Sequence, residues 1–316
     1  MAAAAIVEDG RWLGKLHGEL RTLLAPVFAQ ARSRLTAFAY IGALLAEPGD
    51  RRSCWQLAER AGHATPRRMQ ALLAEHAWDW TAALKALQQF IAARLGDPEA
   101  IMVLDETAEL KKGDRTVGVA RQHAGITGQV ENCQTVVFAA YVTGRAHALF
   151  DFRLYLPRSW CLDTKRRQRA HVPDEVTFTT KPALGTAMLT SAASAGVPFA
   201  WAAADEVYGR SSKLREACEK DNKGYVVAVP VNFTVTLPSG RRTVERFAGC
   251  RRERRISGIV CTDDVGCLSP GLMSWLAAAP CRGGMRRPSR CLLAECAREG
   301  RVALGGASAH GRGERG

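Results

Sequence analysis

Two aspartates one hundred positions apart, Asp105 and Asp205, each follow a short apolar run, IMVL before the first and WAAA before the second. Runs of that length read as buried strands. Both carboxylates are therefore expected at strand carboxyl ends, where an open α/β sheet presents its functional crevice. Two carboxylates brought together there repel each other unless a cation lies between them. Mg²⁺ suits such a pair, because it takes hard oxygen ligands and keeps company with one or two carboxylates plus substrate phosphates. Two such ions can clamp the attacking and leaving oxygens of a phosphodiester in line. The plainer role for either aspartate is to cap the turn or helix after its strand. Glu106 and Glu206 directly follow the aspartates and, wherever the strand persists, face the other side of the sheet. They read as supporting or turn residues. Lys111, Lys112 and Arg115 come next after the first acid pair and offer positive charge to a phosphate backbone or, as plainly, make a solvated basic turn.

The elements that must hold these groups follow from periodicity. Residues 1–95 read as helical, with Leu13, Leu16, Leu20, Leu23 and Leu24 at helical spacing and an interruption expected at Pro26. Within that segment, LAERAGHATPRRMQALLAEHAWDW suggests helix, turn, helix, with Leu57 and Ala58 before a turn at Gly62 and Met69, Leu72 and Leu73 after it. Such pairs serve either as packing units or as DNA readers. After Pro98 the period changes. IMVL, RTVGVA, CQTVVFAAYV and HALFDFRLYLP read as strands, with Gly113 and Gly128 in the loops between them. KPALGTAMLTSAASAG reads as a helix ending at Gly196 and PFAWAAAD as a strand. SSKLREACEKDNKG reads as a helix capped at Ser211 or Ser212 and stopped at Gly224, and YVVAVP as the last strand. That order suits a layered α/β sheet.

The composition narrows the class. The chain has 316 residues, is 47% hydrophobic and 24% charged, and carries a formal charge of +13. That charge favours an anionic partner, nucleic acid before membrane surface. The absence of a basic, apolar leader argues against secretion, and the absence of an eighteen-residue apolar run argues against a membrane span. A cytoplasmic, nucleoid-associated protein is expected. Six of the ten cysteines fall between Cys250 and Cys296. No C-x-x-C pair and no histidine accompanies them, so the usual zinc signatures are missing and free thiols are expected. Residues 246–316 contain arginine but no lysine, Lys223 being the last, and sustain no apolar period. They read as an Arg/Cys/Gly-rich, disordered tail.

Several blocks taken together carry a resemblance. DETAELKKG, VGVARQHAGITGQVENCQ, LYLPRSW, PDEVTFTTKPALGTAML, AGVPFAWAAADEVYG and GYVVAVPVN occur in this order over roughly residues 98–232. The segment resembles the DDE transposases of bacterial insertion sequences, in the IS701-like group. The resemblance implies an α/β, RNase H-like mixed sheet flanked by helices over residues 98–245, incomplete here, after an all-helical segment, 1–95, that suits DNA binding. It implies DNA cleavage and strand transfer at insertion-sequence ends, with Mg²⁺ held by three acids. Asp105 matches the first and Asp205 the second. Lys111, Lys112, Arg115, Arg121 and Arg158 lie in the resembling segment and are candidates for contact with duplex DNA. Self-association, or association with an intact transposase, is a further expectation.

The family's third acid is a glutamate in a run resembling Arg-Trp-x-Ile-Glu, with a lysine some residues on. No such run occurs here. Glu295 and Glu299 are candidates by type alone, in CLLAECAREG. The likeness fades in the 230s and 240s, which suggests a truncated or frameshifted copy that binds DNA without cutting it. A repressor derived from a transposase, acting through residues 1–95, is the alternative. An unrelated hydrolase of the same architecture lacks support, since neither GxSxG nor GxxxxGK[ST] is present.

Overall fold

Pro26 cannot donate to a helical ladder. The first helix, α1 (Ala2–Leu24), accordingly ends before it in a 3₁₀ turn, Ala25–Val27. The structure, a computed structural model, describes residues 2–46, 52–230, 232–237, 240–243, 259–260 and 302–306. Their contacts divide the chain into two compact units, Met1–Phe90 and Ile91–Gly316.

In the first unit α1 is followed by α2 (Ala31–Leu45), α3 (Cys54–Arg60), α4 (Arg67–Ala74) and α5 (Trp80–Leu95), the last as far as Phe90. Leu24, Val27, Phe28, Ala37, Phe38 and Leu72 form its core, with Trp78 packed against it and tilted on Phe28 at 5.7 Å. Ser53 and Gln56 cap α3 reciprocally, each side chain satisfying the other's backbone N–H. The turn after α3 passes through Gly62 in the left-handed region, φ 73°, where a Cβ would be strained. Met69 and Leu72 of α4 face inward, whereas Leu73 is 55% exposed and Arg67, Arg68 and Gln70 face solvent.

The second unit is built on a mixed sheet. Its first strands are β1 (Ile101–Leu110), β2 (Ala120–Ala124), β3 (Gln129–Val142) and β4 (His147–Leu154). Short helices α6 (Arg158–Leu162) and α7 (Thr164–Arg169) precede α8 (Lys181–Ser194). Then come β5 (Trp201–Ala204), α9 (Glu206–Gly209), α10 (Ser212–Lys220) and β6 (Gly224–Val229). β1 pairs antiparallel with β3 and parallel with β5, and β5 pairs parallel with β6. β2 and β4 share β3, β2 along its first residues and β4 along the rest. This is an RNase H-like arrangement, with a helical stretch before it. A separate hairpin joins β7 (Thr234–Leu237) to β8 (Gly240–Thr243). Of the segment 246–316, only β9 (Ile259–Val260) and β10 (Val302–Gly306) are described, and β10 pairs with β6. The expected disorder and frameshift of that segment otherwise lie outside the described residues, as do Glu295, Glu299 and the C-terminal cysteines.

Alternation along β1 separates two faces. Met102 and Leu104 enter the main core with Met188 and Leu189 of α8 and Leu214 of α10. Val103 joins Ala140 and Ala203 on the opposite face. Ile91, Ala92 and Leu95, with which the second unit begins, pack on its main core. Thr180 caps α8, and of the two serines expected to cap α10 it is Ser211 that does so.

Three local expectations are corrected. RTVGVA is not a strand: Val117 and Val119 pack around Trp160, and β2 begins only at Ala120. The strand opened by IMVL does not stop at Asp105 but runs on to Leu110, because β3 continues to pair with it as far as Cys133. Gly224 does not end α10. Asn222 turns the chain at φ 58°, and Gly224 opens β6 because Trp201 leaves no room there for a Cβ.

Candidate functional site

Leu104 lies opposite Ala204 in the last step of the parallel β1–β5 pairing, so the next residues are Asp105, still on β1, and Asp205, the first residue after β5. Neighbouring strands run about 4.8 Å apart. Asp105 follows Val103 onto the second face of the sheet, and Asp205, the residue just after β5, lies close enough to Glu106 and to Asp105 for each to repel it. Asp105 sits midway along β1 but at the end of its parallel partner, which leaves its carboxylate at an edge.

Both carboxylates are anchored by backbone amides. Asp105 Oδ1 accepts from the N–H of Glu106 at 2.8 Å. Asp205 Oδ1 accepts from the N–H of Val207 at 2.9 Å and so caps α9. The plain capping role expected for such an aspartate is therefore met in this residue. Burial pushes the Asp105 carboxyl up to about 6, with the adjacent Glu106 adding to it and Lys181 opposing it. Burial pushes Asp205 up to about 7, with further repulsion from Glu106 and from Asp105. A site whose carboxylates resist ionisation in this way is one that a cation would relieve.

Glu106 is the residue that sequence reasoning left undeveloped. It faces away from Asp105, into the α8 side of the sheet, where Oε1 accepts from Lys181 Nζ at 2.8 Å and Oε2 from the Tyr208 hydroxyl at 2.9 Å. The signal available was an acid inside a strand, in step with the core-facing Met102 and Leu104, a place that requires a cationic or donor partner elsewhere in the chain. Glu206, by contrast, pairs with Arg210 one turn on, at 2.8 Å.

The basic candidates divide. Lys111 is paired with Glu109 at 2.9 Å. Lys112, Arg115 and Arg158 are exposed, as is Arg121, whose guanidinium donates to the Val130 carbonyl at 2.9 Å. α7 was not anticipated. Its Arg166 stacks on Trp160 at 3.8 Å and donates to the Asp114 carbonyl at 2.6 Å, which ties the Lys112–Arg115 loop to this basic helix. A groove of about 720 Å³, lined by Thr186, Thr190, Ser191, Ser211 and Lys213, runs between α8 and α10 and contains no carboxylate.

The oxygen donors of Asp105 and Asp205 fit a hard divalent cation such as Mg²⁺. When bound, such an ion supplies charge stabilisation to a reacting phosphate. Among the described residues, no group of three or more His, Cys, Asp or Glu is placed to hold a metal ion. No helix among them is long and apolar enough to cross a membrane.

The chain matches the family described as DDE superfamily endonuclease over residues 23–258. It is also 26% identical over 213 residues to the probable transposase for insertion sequence element IS701 of Microchaete diplosiphon. That alignment covers 67% of this chain and 53% of the relative, so the chain spans about half the length of this curated relative. Because the family match takes in most of the helical unit as well as the sheet with both aspartates, the chain belongs to the DDE superfamily endonucleases.

Proposed function

We propose that this chain is a transposase-type protein that binds duplex DNA at insertion-sequence ends, with Asp105 and Asp205 as its metal-holding carboxylates. The observation that supports this reading is the β1–β5 register, whose next positions are Asp105, midway along β1, and Asp205, the residue after β5, in a DDE-superfamily chain. The exposed Lys112, Arg115, Arg121 and Arg158 supply phosphate contacts. In-line displacement requires its metals to be held by the full set of acids. The sequence contains no run like the one that carries the family's third glutamate, so this chain by itself binds DNA without cutting it. Nucleoid association follows from DNA binding. The test incubates the purified protein with Mg²⁺ and DNA carrying the element's ends. Retained DNA binding without strand scission is expected. Nicking or joining that disappears in Asp105→Asn would overturn the inactive reading and reveal a third ligand.

A non-catalytic DNA-binding role for the first unit is supported by one specific observation. In α4, Met69 and Leu72 are buried while Arg68 and Gln70 face solvent, after a tight turn from α3. This is the pattern of a helix that reads DNA from its outer face.

A further inference from the structure

We propose that Glu106 is a positioning residue that, by accepting from Lys181 and Tyr208 at once, sets the angle at which Asp205 meets Asp105. This rests on reading the two aspartates as the metal-holding pair.

α9 is only four residues long, Glu206–Gly209, too short to be held by its own hydrogen bonds. The Asp205 carboxylate accepts from an amide of that same turn, at Val207, so whatever orients α9 also orients Asp205. Tyr208 anchors the turn. Its ring is fully buried, and its hydroxyl reaches across 102 positions of sequence to Glu106 Oε2. Glu106 is itself on β1, next to Asp105, so a single carboxylate joins the strand of the first aspartate to the turn of the second.

Lys181 completes the arrangement from α8. Its ammonium takes the other oxygen of Glu106, and both side chains are only 19% exposed. Gly185 lies four residues on and therefore on the same face of α8. A Cβ there would approach Leu104 Cδ1 to 2.8 Å and Tyr208 Cε1 to 3.1 Å. The missing side chain lets α8 press on the strand and on the tyrosine together, which brings Lys181 to Glu106. The lysine offsets a charge that would otherwise add to the repulsion between the two aspartates. A partly buried ion pair of this kind contributes direction more than stability. Glu106 has directional partners on two separate elements, which an apolar side chain could not provide.

The test uses the full-length chain and three substitutions. Tyr208→Phe keeps the ring and removes the hydroxyl, Lys181→Met removes the charge, and Lys181→Arg restores it. Two measurements are made: Mn²⁺ titration followed by electron paramagnetic resonance, and amide hydrogen exchange across residues 201–229. Tyr208→Phe and Lys181→Met are expected to speed exchange at Val207 and Tyr208 about tenfold and leave β6 unchanged. They are expected to weaken Mn²⁺ binding about tenfold, with Lys181→Arg close to the parent in both. Unchanged exchange at Val207 and Tyr208, or equal acceleration through Gly224–Val229, would overturn the positioning role, the second outcome by showing general loosening. A parent chain that binds no Mn²⁺ would sink the metal reading of Asp105 and Asp205. The exchange pattern would still decide the role of Glu106.

Discussion

Asp205 stands where three demands meet: it follows β5, caps α9 and feels the charges of Glu106 and Asp105. In an unfolded chain both aspartates ionise near pH 4. In the folded protein Asp105 holds its proton to about pH 6 and Asp205 to about pH 7. Between those limits the folded state binds more protons than the unfolded state, so stability falls as pH rises. The slope is at most about 1.4 kcal/mol per pH unit for each group. Thermal melts in EDTA should therefore show a falling midpoint from about pH 4 to about pH 7 and a plateau above. Asp205→Asn keeps the cap and removes the charge. It is expected to raise the midpoint at pH 7.5 by a few degrees and to remove most of that slope. A pH profile identical to the parent's would contradict the burial and repulsion assigned to Asp205. Mg²⁺ at millimolar concentration should raise the parent midpoint at pH 7.5 and leave Asp205→Asn unmoved, by preferential binding to the folded state.

At the scale of elements, close approach decides what each residue can be. A Cβ on Gly209 would run into the carbonyl of Ala228, a backbone atom that cannot swing aside. Gly209→Ala is expected to cost about 1–3 kcal/mol, the usual range for overpacking, measured as a lower denaturation midpoint of the sheet unit. Gly18, on an open side of α1, has nothing within 4 Å of the place a methyl group would take, and Gly18→Ala should stabilise α1 by about 0.5–1 kcal/mol. Equal effects of the two changes would refute the packing described for α9. In the first unit, α4 presents Arg68 and Gln70 outward. Arg68→Ala should weaken binding to DNA carrying the element's ends several-fold, by fluorescence anisotropy, with helicity unchanged. No loss of affinity would remove α4 from the binding surface.

For the whole molecule, the +13 charge and the exposed cations set how affinity responds to salt. If two to four phosphates are neutralised, a plot of log affinity against log salt should fall with a slope of roughly 2–4. Replacing Lys112 and Arg115 together by alanine should reduce that slope by about 2. A slope unchanged by the double substitution would place the contacts elsewhere. Because the chain spans about half the length of its curated relative, DNA binding by this chain is the activity to measure before strand transfer.

Much of this architecture is determined by local sequence. Apolar runs announced β1, β3, β4, β5 and β6, and the Ser211–Ser212 pair announced the helix that follows it, because periodicity and capping act within a few residues. The two aspartates stood out for the same reason, each at the end of such a run. Other features depended on partners far along the chain. Only the continued pairing with β3 extends β1 past Asp105, and only Trp160 draws RTVGVA into a loop. Tertiary structure alone chose the partners of Glu106, which lie 75 and 102 positions away. A buried charge must find a counterpart, but its position in sequence does not say where, because that contact exists only once the strands and helices have packed.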